Sequence, residues 1–438
     1  MADRPDTITK IAVRGYKSIA DEQQIELRPL TLLAGANSSG KSSIMQPVLL
    51  LKQTLEAPSD PGPLLLDGPN VRFTSAEQLL SKMPGRARKP EFAVRIELSN
   101  GPSLEVVFKH KEDVGFEVDE MSYTDDGRDL HLKPNMSHND ILRVLPPSEQ
   151  AISSMVERQA QETLYWSICR DRCFLAFGLC SQETKLPRVL LGVLRAGLFI
   201  PQLQGLIHLP GLRGNPQRNY PKTASGPLFP GTFENYVAST IAQWQSTNDD
   251  HLSRLGSALE DMGLTWKVEA KPVEDTQVEL RVARLVHGKR GGAYDLVSIA
   301  DVGFGVSQSL PVVVALIAAK PGQVVYLEQP EIHLHPRAQR RLAHVLSDAA
   351  NRGVTVVAET HSGLLLKEIQ TIVATGKLST DKVKLHWVQR QEDGRTVVTP
   401  ADLDENGAYG DWPEDFDDVE LDAEKAYLDA VERKRAIE

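Results

Sequence analysis

The chain has 438 residues, 41% of them apolar and 25% charged, a composition that excludes a disordered, fibrous or membrane-embedded chain and leaves a globular protein of about two to four domains. The formal charge of −10 is unevenly spread: residues 401–438 hold 14 Asp or Glu against four Lys or Arg, which leaves 45 of each in residues 1–400. The acidic total therefore belongs to a tail, and it neither supports nor excludes a nucleic-acid partner. Three cysteines, Cys169, Cys173 and Cys180, match neither a disulfide framework nor a zinc site. Residues 1–17 contain no apolar core of signal-peptide length, and the longest apolar run, 312–319, is far too short to span a bilayer. The expectation is a cytoplasmic protein with no membrane partner.

In chain order, residues 8–13 and 30–34 read as strands, the second running into a glycine-bounded loop, and residues 42–56 follow with helical spacing and Pro47 in an early turn. Residues 92–98, 104–110 and 114–118 alternate as half-buried strands of an antiparallel element. Residues 149–198, which carry the cysteines, read as a buried helical insert without thiol chemistry. Residues 201–230, rich in Pro and Gly, read as loop. Helices are expected at 233–245 and 252–262, and strands near 266–269 and 278–286. From there the rhythm is helix 306–318, strand 324–328, helix 336–350, strand 354–358 and helix 363–374, the β-α-β pattern of a parallel sheet. Two further β-like segments, 383–389 and 396–399, precede the acidic tail.

Gly35-Ala36-Asn37-Ser38-Ser39-Gly40-Lys41-Ser42 satisfies G-x-x-x-x-G-K-[ST] between a strand and a helix. Its glycines turn backbone N–H groups toward phosphates, Lys41 reaches the β/γ-phosphates, and Ser42, followed by Ser43, can coordinate Mg²⁺. The metal needs an acid at the end of an apolar strand, and Val324-Val325-Tyr326-Leu327-Glu328 supplies one. Beyond it lies Gln329-Pro330-Glu331-Ile332-His333-Leu334-His335-Pro336. The i, i+2 histidines lack a third ligand and the helical i, i+4 spacing of a zinc pair. The next strand ends in Glu359-Thr360-His361-Ser362, which brings His361 to the same sheet edge, within reach of a γ-phosphate or an attacking water. Asp301-Val302-Gly303-Phe304-Gly305-Val306-Ser307-Gln308 is a second glycine-rich turn opening a helix. Lys41 and Glu328 lie 287 positions apart, so a long insertion divides one nucleotide fold.

In that order of parts (phosphate loop, insertion, signature-like turn, acid-ended strand, His switch) the sequence resembles the ABC-superfamily ATPase heads of the RecF, SMC and OLD-like branch, over residues 8–56 and about 294–390. The resemblance implies an α/β P-loop NTPase of ABC/SMC-head type: a mixed parallel sheet with helices on both faces and a large, mostly helical inserted subdomain. It divides the chain into 1–56 and 291–400 as halves of the head, 57–130 as its antiparallel part, 131–290 as the insert and 401–438 as the tail. It further implies ATP and Mg²⁺ as cofactors. Gly303, Gly305 and Ser307 would contact ATP held by another copy, so that ATP closes at least a dimer, and Arg14 and Lys17 would lie near the adenine and phosphates. Residues 333–336 would sit at the dimer interface.

One departure bears on the chemistry. The position after the metal acid, where the family has its water-activating glutamate, holds Gln329, and an amide cannot accept the proton. Either Glu331 or His361 takes over, or hydrolysis is slow. OLD-like nucleases also carry a Toprim domain after the head; only 77 residues follow His361 here, too few for one. The resemblance thus implies a slow ATPase that regulates a separate effector, a nuclease or toxin, in antiviral defence, with a DNA-gripping repair clamp as the alternative. The stretch from Arg213 to Tyr220, with Arg218, and the cluster Arg281, Arg284, Lys289 and Arg290 are either phosphate- or nucleic-acid-binding surfaces or solvated charge.

Overall fold

The computed structural model describes residues 6–85, 88–145, 156, 163–192, 196–223, 226–284 and 295–410. The first part of the chain forms β1 (Ile8–Arg14), β2 (Gln23–Glu26), β3 (Leu30–Ala34), helix α1 (Lys41–Glu56), β4 (Glu91–Leu98), β5 (Ser103–Lys111), β6 (Gly115–Asp125) and β7 (Arg128–Leu132). There follow α2 (His138–Val144), β8 (Leu164–Asp171), β9 (Phe174–Ser181), β10 (Pro187–Gly192), α3 (Phe199–Gly205), β11 (Ile207–Leu209) and β12 (Tyr220–Pro221). Then come α4 (Val237–Thr247), α5 (Asp250–Asp261), β13 (Val268–Glu274), β14 (Gln277–Ala283) and β15 (Leu296–Ser298). The last part comprises α6 (Phe304–Ala318), β16 (Val324–Glu328), α7 (Pro336–Asn351), β17 (Thr355–Thr360), α8 (Gly363–Ala374), β18 (Val383–Arg390) and β19 (Thr396–Ala401).

The central sheet runs β11-β16-β17-β3-β18-β19, parallel throughout except for the antiparallel edge strand β19. Its inner strands are buried over most of their length because both faces are covered. On β3, Leu30, Leu32 and Ala34 join a core built with α4 to α8, while Leu33 joins a second core with α1 and the antiparallel sheet β2-β1-β4-β5-β6-β7. Tyr326 and Val357 face that second core too, whereas Leu327 and Ala358 face the first. Side chains at 326, 328, 357 and 359 therefore share the α1 side of the sheet.

The class is mixed α/β, but the insert is not mainly helical among its described residues. The helix expected over 149–198 is replaced by the antiparallel sheet β10-β9-β8. Leu164, Trp166 and Ile168 are buried at every second position, the period of a strand. All eight residues of β9 are buried, and such a short apolar run cannot be told from a buried helix by its pattern. Residues 146–155, 157–162 and 193–195 of that stretch lie outside the described residues. The loop expected over 201–230 contains the end of α3 and the edge strand β11, whose Ile207, His208 and Leu209 pair with Val325, Tyr326 and Leu327.

Candidate active site

The phosphate loop occupies the carboxyl end of β3. Gly35 has φ 156°, and a Cβ there would fall 2.1 Å from the Val388 carbonyl oxygen; at Gly40, φ 105°, it would fall 2.3 Å from the Thr396 hydroxyl. Both positions thus require glycine for lack of space as well as for backbone conformation. Ser38 is left-handed, φ 60°, and is exposed with Asn37, while Ser39 and Ser43 are buried. The Ser39 hydroxyl has no partner. Helix α1 begins at Lys41 with no side-chain cap and no acid in its first turn, so its first N–H groups and dipole face the loop as an anion-binding end. Lys41 is buried, and its Nζ donates to the carbonyls of Gly35 and Ala36, both at 2.9 Å. Burial lowers its pKa, against the opposing charges of Glu359 and Glu331. The Thr396 hydroxyl, on the edge strand β19, lies 2.7 Å from the Ser39 carbonyl oxygen and braces the loop.

Strand order decides which acid meets the loop. β17 lies between β3 and β16, with Glu328 paired to Glu359 and Thr360 paired to Ala34. The Ser42 hydroxyl donates to Glu359 Oε2 at 2.7 Å, and the Tyr326 hydroxyl donates to the other oxygen of the same carboxylate. Glu359 is 2% exposed. Burial, and then the charge of Glu328, push its pKa up to about 7. Glu328, expected to be the metal acid beside Ser42, has both oxygens engaged elsewhere. Oε1 lies 3.2 Å from His208 Nε2, and Oε2 accepts the Gly211 N–H at 3.1 Å. Burial works to raise the Glu328 carboxyl, but His208, the Gly211 N–H and Arg213 together hold it below the usual range. His208 is fully buried, stacks on the Tyr326 ring at 5.3 Å, and has Nδ1 3.1 Å from Asn70 Oδ1.

Gln329 turns the chain with φ 43° and borders the cleft. Glu331 is buried; its Oε1 accepts from the Thr360 hydroxyl at 2.7 Å and from the His361 N–H at 2.9 Å, and its Oε2 has no partner. His361 lines the cleft, half-buried, with its pKa lowered by burial and by Lys41. Lys17 also lines it; its Nζ donates to Gln46 Oε1 at 2.6 Å and lies 4.6 Å from the Phe73 ring centre. The cleft has a volume of about 570 Å³.

Other expected residues lie apart from this cleft. Arg14 alternates to the far side of β1 from buried Val13 and pairs with Glu105 at 3.0 Å and Glu91 at 3.7 Å, so it does not line the cleft. Gly303, Gly305 and Ser307 open α6 but do not line it either. Gly303 has open space around it, Phe304 is 53% exposed, and the Phe304 and His333 rings lie 5.7 Å apart. His335 caps α7, its Nδ1 accepting the Arg337 N–H. Arg213 is neither solvated nor free for phosphate: it is 8% exposed and donates to the carbonyls of Pro210, Gln308, Glu328 and Gln329. Arg218 pairs with Asp301, and Arg281 with Glu279. Lys289, Arg290 and residues 411–438 lie outside the described residues. Cys173 is buried with its thiol pKa raised, and burial pushes Cys180 up to about 11.

Among the described residues no group of three or more His, Cys, Asp or Glu side chains has the geometry of a metal cage. The all-oxygen pair Ser42 and Glu359 fits Mg²⁺ in the form it takes with nucleotides, held by one or two carboxylates and by phosphate oxygens. No described helix is long and apolar enough to cross a membrane.

A strand-borne phosphate loop, a largely buried and mainly parallel sheet and acids at its carboxyl edge define a P-loop nucleotide-binding fold of mixed α/β class. Residues 227–367 match the family model described as "AAA domain, putative AbiEii toxin, Type IV TA system". That stretch carries the 303–307 turn, Glu328 to Glu331 and His361, but not the phosphate loop. No curated protein matches the chain. Among solved structures, it is similar to an SMC head bound to the C-winged helix domain of ScpA, with 14% identity, TM-score 0.49, and 91% of this chain and 98% of that one covered. It is also similar to the SMC head domain from Thermotoga maritima, with 12% identity, TM-score 0.42, and 91% and 100% covered. A third is the Smc head domain with an extended coiled coil bound to the C-terminal domain of ScpA derived from Pyrococcus furiosus, with 12% identity, TM-score 0.46, and 91% and 96% covered.

Proposed function

We propose that the chain binds ATP in this cleft, hydrolyses it slowly, and uses ATP-dependent assembly of at least two copies to regulate a separate effector, a nuclease or toxin, in antiviral defence. The observation that carries the reading is the convergence of Lys41, Ser42, Glu359 and His361 on one cleft with an amide, Gln329, at its rim. Lys41 and the first N–H groups of α1 bind the phosphates, and Ser42 with a carboxylate holds the cation. Bound Mg²⁺ would neutralise charge building on the β- and γ-phosphates. With Gln329 unable to take a proton, the remaining bases are His361, which its lowered pKa keeps neutral, and the buried Glu331.

The open turn at Gly303 and exposed Phe304, away from the chain's own cleft, favour contact with ATP bound to a second copy. The toxin–antitoxin description of the matching family supports an effector partner. The test is steady-state hydrolysis together with the mass of the assembly with and without ATP. Slow turnover and an ATP-dependent rise in mass are expected. A monomer with ATP bound and no associated protein, or fast turnover unaffected by both Glu331→Ala and His361→Ala, would sink the reading.

A further inference from the structure

We propose that Glu359, rather than the strand-end acid Glu328, is the carboxylate that completes the divalent-cation site begun by the Ser42 hydroxyl. The inference rests on the nucleotide reading of the cleft and names the residue that makes it work.

Three independent observations lead to it. The first is topological. β17 is the direct neighbour of β3, and β16 is one strand further away. With strands about 4.8 Å apart, the acid on β17 is placed one strand from the phosphate loop and Glu328 two. Residues 328 and 359 are in register and on the α1 face, so Glu359 stands between Ser42 and Glu328. The second is the division of hydrogen bonds. Glu328 has one oxygen toward His208 and the other on the Gly211 N–H, so turning it to the cation would break both contacts. Glu359 has one oxygen fixed by Tyr326 and points the other at the Ser42 hydroxyl, 2.7 Å away.

The third is chemical. A carboxyl group 98% shielded from water keeps its charge only beside a compensating positive charge, which a bound cation would supply. The nearby cation, Lys41, is committed to loop carbonyls and is the group that phosphates would draw away. A hydroxyl and a carboxylate oxygen at hydrogen-bond distance can close on Mg²⁺ with little movement, leaving its other positions to phosphate oxygens and water. His208, Asn70 and Tyr326 then act as positioning residues. Through one stacked pair of rings they hold Glu328 back and Glu359 forward.

The experiment titrates Mg²⁺ against binding of a fluorescent N-methylanthraniloyl ATP to the full chain, and follows Mn²⁺ binding by loss of the free-ion electron paramagnetic resonance signal. Glu359→Gln is expected to raise the Mg²⁺ midpoint and weaken Mn²⁺ binding by about tenfold or more, with affinity in EDTA changed by less than about threefold, whereas Glu328→Gln shifts the midpoint by less than about threefold. A Glu359→Gln midpoint within about twofold of the unaltered chain, or a larger shift from Glu328→Gln, overturns the proposal. Should Glu359→Gln fail to fold, as read by thermal melting, Glu359→Asp takes its place; it keeps the charge and draws it back by one methylene, and an unshifted midpoint there counts equally against the proposal. Absence of nucleotide binding to the unaltered chain, with or without Mg²⁺, removes the nucleotide reading and this one with it. Normal binding with an unshifted midpoint removes this one alone.

Discussion

In the proposed function, Gln329 is the residue that slows hydrolysis. It sits at the end of β16 with a left-handed φ of 43°, and its N–H donates to the Glu359 carbonyl at 3.0 Å, so its side chain is aimed by a fixed backbone. Replacing the amide by an isosteric carboxylate changes proton affinity and little else. Gln329→Glu is therefore expected to raise turnover by about 10² or more, the usual contribution of a general base, with nucleotide affinity little altered. The check is single-turnover hydrolysis of radiolabelled ATP. In the same assay His361→Ala should lower the residual rate of the unaltered chain more than that of the Gln329→Glu variant. Equal rates for the Gln329→Glu variant and the unaltered chain would mean that water is not activated from this position.

At the scale of elements, the strut that matters is Arg213. Its guanidinium donates at 2.7 Å to the Gln308 carbonyl on α6, and at 3.0 and 3.1 Å to the Glu328 and Gln329 carbonyls at the end of β16. Gln308 returns a bond to the Gly214 carbonyl. The helix that carries Gly303, Gly305 and Ser307 is thus tied to the strand end that carries Glu328 and Gln329. Burial lowers the Arg213 pKa to about 10, so it remains a cation at neutral pH. Arg213→Met would remove four hydrogen bonds to main-chain carbonyls, the one to Gln308 buried, at a cost of roughly 2 to 4 kcal/mol. It should also reduce hydrolysis while leaving the phosphate loop, and so nucleotide affinity, nearly unchanged. Urea unfolding and fluorescent-nucleotide titration measure the two effects.

The same elements show what the sequence could and could not disclose. β3, β16 and α8 are legible because each is a sharply bounded apolar segment with a turn or cap at its end: Ser362 caps α8 by accepting the Leu365 N–H. β11 is not, because three residues between proline- and glycine-rich stretches carry no period. His208 and the role of Arg213 were hidden with it. The partner of Ser42 was hidden for a different reason. Chain order places the first strand-end acid at 328, but only the spatial order of strands shows that 359 stands nearer the loop. The letters Glu359-Thr360-His361 were visible throughout; their neighbour was not.

For the molecule as a whole, the seam that matters runs between the parallel and antiparallel sheets, and His386 on β18 lies in it. The side chain is 1% exposed, and its Nε2 lies 2.9 Å from the Glu26 carbonyl oxygen on β2. Lys384, which bonds Asp402 at 2.9 Å and pairs with Glu26 at 3.4 Å, is beside it. Burial drives the His386 pKa down to about 4, with Lys384 adding to the fall and Glu26 and Asp402 opposing it. An unfolded chain would bind this proton near pH 6.5. Between about pH 6.5 and 4 the unfolded state therefore holds a proton that the folded state refuses, and stability must fall as pH falls through that window. The loss from this one group is roughly 2 kcal/mol at about pH 5 and approaches about 3 kcal/mol near pH 4. His386→Gln abolishes the titration and can still donate to the Glu26 carbonyl. Urea unfolding at about pH 7.5 and 5 should show a smaller loss for this variant than for the unaltered chain, by about 2 kcal/mol. All other histidines contribute equally to both chains, so an identical loss in the two would show that the seam between the sheets is not where acid acts.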